Sequence, residues 1–87
     1  MLWENYIISE RMKRNAYRDE DRQLYFWRNY NQNEVDLVEI YGGEMTAYEI
    51  KYGTGQKARL PIAFRSNYPE TEFHLIDRDN YLEFLCT

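Results

Sequence analysis

Three charged residues on two neighbouring segments could do chemistry together: Asp36, Glu49 and Lys51. Asp36 alternates with apolar residues in segment 34–40, and Glu49 and Lys51 lie two apart in the segment that follows. Because successive side chains of a strand point to opposite faces, residues two apart share a face. Two carboxylates suit a hard divalent cation, and a lysine beside them can orient water or neutralise charge developing on a phosphate. The pattern therefore indicates a metal-assisted site or a buried ion cluster.

The remaining sequence supplies elements that could position this cluster. The predicted elements are a helix over 2–15, strands over 24–28, 34–40 and 45–51, a helix from about 57 to 67 whose regular part starts near Leu60, a strand over 72–76 and a closing helix over 81–85. Asn15 is the predicted helix terminator, Gly42-Gly43 predicts a tight hairpin turn, and Pro61 is tolerated only in the first turn of its helix.

This element order predicts an α/β (α+β) domain with an αβββαβ core and a mixed sheet flanked by helices. A helix between the third and fourth strands is a crossover, so those strands can run parallel, whereas the first three can form an antiparallel meander. On strand 34–40 we expect Val35 and Leu37 to face one way and Asp36, Val38 and Ile40 to face the other.

Composition narrows the class of protein. The 87 residues suffice for one small domain, and no apolar run approaches the roughly 20 residues that cross a membrane. A single cysteine, Cys86, excludes a disulfide framework within the chain and favours a reducing cytoplasm. The net charge of −4 argues against nucleic-acid binding by bulk attraction but leaves room for a local basic rim.

The motifs resemble a known superfamily. A helix with Glu4, a meander with Asp36 on its second strand and the Glu49-x-Lys51 pattern on its third are similar to the restriction-endonuclease-like fold, whose motif is written PD-(D/E)xK. The combination Tyr-Phe-Trp-Arg, Glu-Val-Asp and Tyr-Glu-Ile-Lys resembles, over nearly the whole chain, a domain of unknown function that ends many prokaryotic AAA-type ATPases.

That resemblance implies roles for the matching residues. Asp36 and Glu49 match metal ligands, Glu4 matches the helix acid that often completes the site, and Lys51 matches the lysine near the attacking water. Val35 stands where the classical motif has proline. The implied activity is phosphodiester hydrolysis with Mg²⁺ or Mn²⁺ as cofactor.

Residues after the glycine turn are the best candidates to touch a nucleic-acid backbone. Lys57 and Arg59 could contact phosphates, and Gln56 could assist them. The chain has no Walker A pattern and hence no ATP site. We therefore expect residues 1–87 to be one nuclease-like domain, the C-terminal fragment of a longer protein, with the upstream ATPase domain of that parent as a partner.

A second interpretation stays open. Asp36, Glu49 and Lys51 could form a neutralised salt-bridge cluster that only preserves the fold, because Lys51 can supply the counter-charge that two close carboxylates need. The domain would then be a catalytically degenerate fold that serves protein interaction, for example as a homodimer through a sheet edge or an aromatic surface.

Overall fold

The computed structural model describes residues 2–86. Its elements are α1 (Leu2–Tyr17), β1 (Gln23–Arg28), β2 (Glu34–Tyr41), β3 (Glu44–Ile50), α2 (Ile62–Asn67), β4 (Glu72–Ile76) and α3 (Tyr81–Cys86). The predicted order of helices and strands is confirmed. None of the helices in this part of the chain has the length and apolar character that a membrane span needs.

The four strands form one sheet in the order β1-β2-β3-β4. β1, β2 and β3 pair antiparallel, and β4 pairs parallel to β3. α2 provides the crossover that a parallel pair requires. Gly42 and Gly43 join β2 to β3 with φ angles of 60° and 81°, the backbone conformation that hairpin turns of this kind need and glycine adopts at low cost. The mixed α/β class expected from the sequence is therefore observed.

Apolar residues cover both faces of the sheet and form two cores. The core under α1 and α3 contains Ile7, Leu37, Tyr48, Ile50, Ile76 and Phe84. The core under α2 contains Val35, Val38, Ala47, Leu60 and Phe64. Because β2 and β3 contribute to both cores, their core residues have little freedom to change face.

Strand β2 carries an irregularity that the alternation rule missed. Tyr25 pairs with Val38 and Trp27 pairs with Val35, so two residues of β2, at 36 and 37, lie opposite the single residue between Tyr25 and Trp27. Such a bulge reverses the face of the residues before it. The expectation that Val35 and Leu37 share a face was wrong: Val35 joins the α2 core and Leu37 the α1 core.

Two helix boundaries also differ from the prediction. α1 continues past Asn15 to Tyr17, and Asn15 is buried within it, 5% exposed, because its side chain donates to Glu39 on the sheet. α2 begins at Ile62, with Pro61 as its N-cap residue and not in its first turn. Leu60 precedes the helix and is buried in the α2 core.

Candidate functional site

Asp36 lies at the bulge of β2, beside the end of β3. Its Oδ2 accepts a hydrogen bond from the backbone N–H of Ile50 at 2.9 Å. Since the last Cα pair between the two strands is Leu37 with Tyr48, one further step along the same register brings Asp36 opposite Glu49. The bulge thus places a carboxylate where the backbone ladder stops, and a main-chain donor fixes its orientation.

Glu49 lies beside Asp36, close enough for the protonated Glu49 carboxyl group to donate a hydrogen bond to Asp36. Lys51 forms an ion pair with Glu49, and its Nζ lies 3.3 Å from Glu49 Oε2. The Glu49 side chain is 21% exposed and the Lys51 side chain 37% exposed. The structure therefore brings Asp36, Glu49 and Lys51 into one cluster where β2 begins and β3 ends, and we call Asp36 and Glu49 the carboxylate pair.

The electrostatics of the carboxylate pair are unfavourable to full ionisation. Burial, the hydrogen bond that protonated Glu49 donates to Asp36 and the charge of Asp36 together raise the pKa of Glu49 to about 7, against the smaller opposing effect of Lys51. Two close carboxyl groups avoid repulsion by sharing a proton. One ammonium group therefore does not neutralise the pair, and the cluster is short of positive charge at neutral pH.

Glu4 approaches this cluster from the first turn of α1 but does not complete it. Burial and then the charge of Asp36 raise the pKa of Glu4, which indicates that it lies within electrostatic range. Within residues 2–86, however, no group of three or more Asp, Glu, His or Cys side chains is placed to hold a metal ion. The structure thus gathers two of the three predicted metal ligands, and Glu4 does not form a three-residue metal-holding group with them.

The donor set of the carboxylate pair fits a hard divalent cation. Mg²⁺ usually keeps several waters and takes one or two protein carboxylates together with substrate phosphate oxygens. The pair offers oxygen donors only, one of which gives up a proton readily near neutral pH. A two-carboxylate site of this type does not need Glu4 as a direct ligand.

The main chain around Lys51 is fixed on both sides. Its N–H donates to the Ile76 carbonyl at 2.9 Å, which continues the pairing with β4. Its carbonyl accepts a hydrogen bond from Trp3 Nε1 at 2.9 Å. The Lys51 side chain therefore leaves a rigid backbone, which limits where its ammonium group can reach.

The predicted nucleic-acid contacts lie on the loop between β3 and α2. Gln56, Lys57 and Arg59 are all exposed there. A Cβ atom added to Gly53 would lie 2.5 Å from Gln56 Nε2, so the Gln56 amide folds back over the glycine turn. Arg59 also borders a groove next to α2, with Leu60 and Phe73 among its other lining residues. These residues do not join the carboxylate pair in a contact cluster.

Sequence reasoning missed a second charged cluster, which lies beside the C-terminal half of α1, whereas the carboxylate pair lies near the first turn of α1. Arg11 donates to both carboxylate oxygens of Glu39, at 2.9 and 2.7 Å, and to the Phe84 carbonyl at 2.6 Å. Both side chains are buried, at 7% and 1% exposure. The spacing of four between Ile7, Arg11 and Asn15 places all three on one helix face, and this signal could have indicated that Arg11 faces the core.

This second cluster extends toward solvent through further arginines. Its members, named here the arginine–glutamate network, are Arg11, Arg14, Arg18, Arg22, Glu20 and Glu39. Hydrogen bonds from Arg22 and then Arg18 outweigh burial and lower the pKa of Glu20 to about 2. Burial tends to raise the pKa of Glu39, but the hydrogen bond and charge of Arg11 reverse that effect and lower it.

The architecture and the cluster define this chain as a small mixed-sheet α/β domain with paired carboxylates and a lysine at one sheet end. A family model described as Domain of unknown function (DUF4143) matches residues 1–83. The chain belongs to that family. No curated protein and no solved structure matches the chain.

Proposed function

We propose that the domain binds a divalent cation, Mg²⁺ or Mn²⁺, at Asp36 and Glu49 and acts on phosphodiester bonds of nucleic acid. The observation that carries this proposal is the contact between two carboxyl groups from adjacent strands with one ammonium group as partner. A structural ion cluster would gain from full neutralisation, whereas a cation site must keep negative charge available for its ligand.

Each residue has a role that follows from its position. Asp36, held by the Ile50 N–H, and Glu49 would hold the cation. A bound Mg²⁺ supplies Lewis-acid stabilisation of phosphate charge and a more acidic water. Lys51, on its fixed backbone, would orient the attacking water or stabilise charge on the phosphate. Glu4 would act on the cation only through an intervening water.

The wider assignment follows from the resemblance of the motifs and is part of the same proposal. It places the domain in the restriction-endonuclease-like superfamily, as the C-terminal module of an AAA-type ATPase in the cytoplasm. In that setting Lys57, Arg59 and Gln56 would contact the nucleic-acid backbone, and ATP would bind to the parent protein and not to these residues.

Isothermal titration calorimetry with Mn²⁺ tests the cation site. Wild type should bind Mn²⁺ at millimolar concentration or below, and Asp36→Asn should lose that binding. Asn can still accept the Ile50 N–H through its amide oxygen, so the variant should stay folded by circular dichroism. Glu44→Gln, an exposed carboxylate at the other end of β3, is the matched control. Absence of Mn²⁺ binding in folded wild type would overturn the proposal.

Hydrolysis needs a separate measurement. Nicking of a plasmid in the presence of Mg²⁺ should depend on Glu49 and Lys51, so Glu49→Gln and Lys51→Ala should both abolish it. Activity that survives Glu49→Gln would come from a contaminating nuclease. Loss of Mn²⁺ binding together with intact nicking is not compatible with the proposed roles.

One observation favours a second candidate function, self-association of a catalytically degenerate domain. β1 is an edge strand, and its Tyr25 and Phe26 are 50% and 55% exposed. Edge strands with exposed aromatic residues can pair with another copy of the same chain. Light scattering that gives the mass of a dimer, reduced to a monomer by Phe26→Lys, together with absent Mn²⁺ binding, would favour this candidate.

A further inference from the structure

A cluster of aromatic rings lies next to the candidate site. Trp3 is its centre, with ring centroids 5.9 Å from Tyr6, 5.4 Å from Tyr52 and 5.1 Å from Tyr81. The contacts to Tyr52 and Tyr81 are edge-to-face, the geometry that aromatic pairs prefer. These rings hold each other in fixed orientations, so the cluster is preorganised.

The cluster is attached directly to the residue that carries the candidate lysine. Trp3 Nε1 donates to the Lys51 carbonyl, and Tyr52 is the next residue in the chain. Lys51 and Tyr52 are consecutive, so a nucleotide chain that passes over this point of the backbone can present a phosphate to Lys51 and a base to the Tyr52 ring.

Tyr52 also has the surroundings of a stacking surface and not those of a core residue. It is 56% exposed, although it is a large aromatic side chain. The Arg78 guanidinium lies 4.5 Å from the centroid of its ring, and Arg78 Nε donates to the Tyr52 carbonyl at 2.8 Å. Arg78 is exposed as well. An accessible ring and a guanidinium group held against it are the elements from which single-strand binding sites are built.

The negative charge of the domain favours single-stranded nucleic acid as its ligand and disfavours duplex. Duplex binding draws its affinity mainly from many phosphate contacts, and this chain has a net charge of −4 with carboxylates at the site itself. Base stacking on aromatic rings adds affinity without requiring a large positive surface. A duplex also keeps its bases stacked inside, where Tyr52 cannot reach them.

We propose that Tyr52, supported by Trp3 and flanked by Arg78, stacks an unpaired base, so that the substrate of the domain is single-stranded nucleic acid. This inference rests on the proposed function, since it assigns the class of substrate that the same site takes. Arg78 would contact the phosphate next to the stacked base.

Fluorescence anisotropy with a labelled oligothymidylate of about 12 nucleotides, in EDTA, tests the stacking directly. Wild type should bind it more tightly than the matching duplex. Tyr52→Ala should weaken single-strand binding about 5- to 150-fold, the range expected for one stacked base. Tyr52→Phe keeps the ring and should bind like wild type. Tyr30→Ala is the control, because Tyr30 is fully exposed on the turn between β1 and β2.

Specific outcomes overturn the inference without affecting the proposed cation site. The inference fails if wild type does not bind the oligothymidylate or its uridylate counterpart, if Tyr52→Ala and Tyr30→Ala weaken binding equally, or if duplex binds as tightly as the single strand. A mass above one chain that falls to a monomer in Tyr52→Ala, without oligonucleotide binding, would show that the ring docks protein. The Mn²⁺ titration of wild type separately decides the proposed function.

Discussion

The two charged clusters near the two ends of α1 treat a buried carboxylate in opposite ways. In the arginine–glutamate network, Glu39 is buried but accepts two hydrogen bonds from Arg11 and one from Arg22. In the carboxylate pair, Glu49 faces another carboxyl group and one lysine. The pKa of Glu39 is lowered, whereas that of Glu49 is raised to about 7.

This difference separates charge that stabilises the fold from charge that is kept for another purpose. A buried carboxylate with a bidentate arginine has its hydrogen-bonding needs met. The carboxylate pair gains nothing comparable from the folded chain, and its repulsion opposes folding at neutral pH. Unfavourable electrostatics of this kind, at a partly exposed end of the sheet, are typical of functional sites.

The largest expected effect is on the arginine–glutamate network. Glu39→Gln leaves the Arg11 guanidinium buried without its counter-ion, so the free energy of unfolding near neutral pH should fall by about 3–5 kcal/mol. Chemical denaturation followed by tryptophan fluorescence measures this. Glu10→Gln is the control, because the Glu10–Lys13 pair is exposed on the same helix and its loss should cost less than about 1 kcal/mol.

Acidification should remove the same stabilisation. The folded-state pKa of Glu39 lies below its unfolded value, so its contribution is present above about pH 4.5 and is lost as pH falls through the lower folded pKa. The gap in unfolding free energy between wild type and Glu39→Gln should therefore narrow below about pH 4. A gap that stays constant down to about pH 2 would contradict the ion-pair interpretation.

The contribution of the carboxylate pair to the free energy of unfolding should change with pH in the opposite direction. The folded-state pKa of Glu49 is raised from 4.5 to about 7, so folding is favoured while Glu49 is protonated, and stability is lost as pH rises from 4.5 to about 7. Glu49→Gln mimics the protonated group and can still donate to Asp36. With allowance for solvent screening, it should be more stable than wild type by about 1–2 kcal/mol near pH 8.

The same denaturation series measures this effect across pH. At about pH 3 wild type and Glu49→Gln should have nearly equal free energies of unfolding, because Glu49 is then protonated in both the folded and the unfolded chain. The pKa of Glu4 is raised as well, so the unfolding free energy of the Glu49→Gln variant should still decrease slightly with rising pH. A Glu49→Gln protein that is less stable than wild type near pH 8 would mean that the pair supports the fold.

Cation binding should release the proton that the pair shares. Metal ligands must be deprotonated, and Glu49 with a pKa of about 7 is half protonated at that pH. Mn²⁺ binding near pH 7 should release about half a proton, and binding near pH 9 should release almost none. Calorimetry in buffers of different ionisation enthalpy measures the number of protons released per Mn²⁺ bound. Equal proton release at both pH values would place the cation elsewhere.

The sequence predicted the fold well where local patterns decide it. The αβββαβ order follows from apolar spacing and glycine turns, and the parallel pairing of β3 and β4 follows from the crossover at α2. The face of Val35 could not be predicted, because the bulge of β2 depends on how Tyr25 and Trp27 pair with it. Bulges are set by the partner strand and by packing, which a single segment does not contain.

The candidate site was predictable in part for a similar reason. Glu49 and Lys51 follow from period-2 spacing, and Asp36 joins them through the hairpin register. Whether Glu4 reaches the pair depends on the position of α1 over the sheet, which only tertiary packing sets. The burial of Glu39 was missed because its cause, Arg11, lies 28 residues away, and a charged residue on a strand is more often exposed.

The smallest effect tests how much Lys51 compensates the pair. Lys51→Gln removes the ammonium group whose Nζ lies 3.3 Å from Glu49, but this contact is more than a third exposed on the lysine side. The unfolding free energy near pH 8 should therefore fall by less than about 1 kcal/mol.

The pKa of Glu49, followed by the NMR shift of its side-chain carbon, should move above the wild-type value, because Lys51 lowers it in the native domain. In the arginine–glutamate network, Arg22→Gln should not raise the Glu39 pKa to the same extent, since Arg11 still holds both Glu39 oxygens. If Lys51→Gln left the Glu49 pKa unchanged while Arg22→Gln raised that of Glu39, the lysine would not be the counter-charge of the pair.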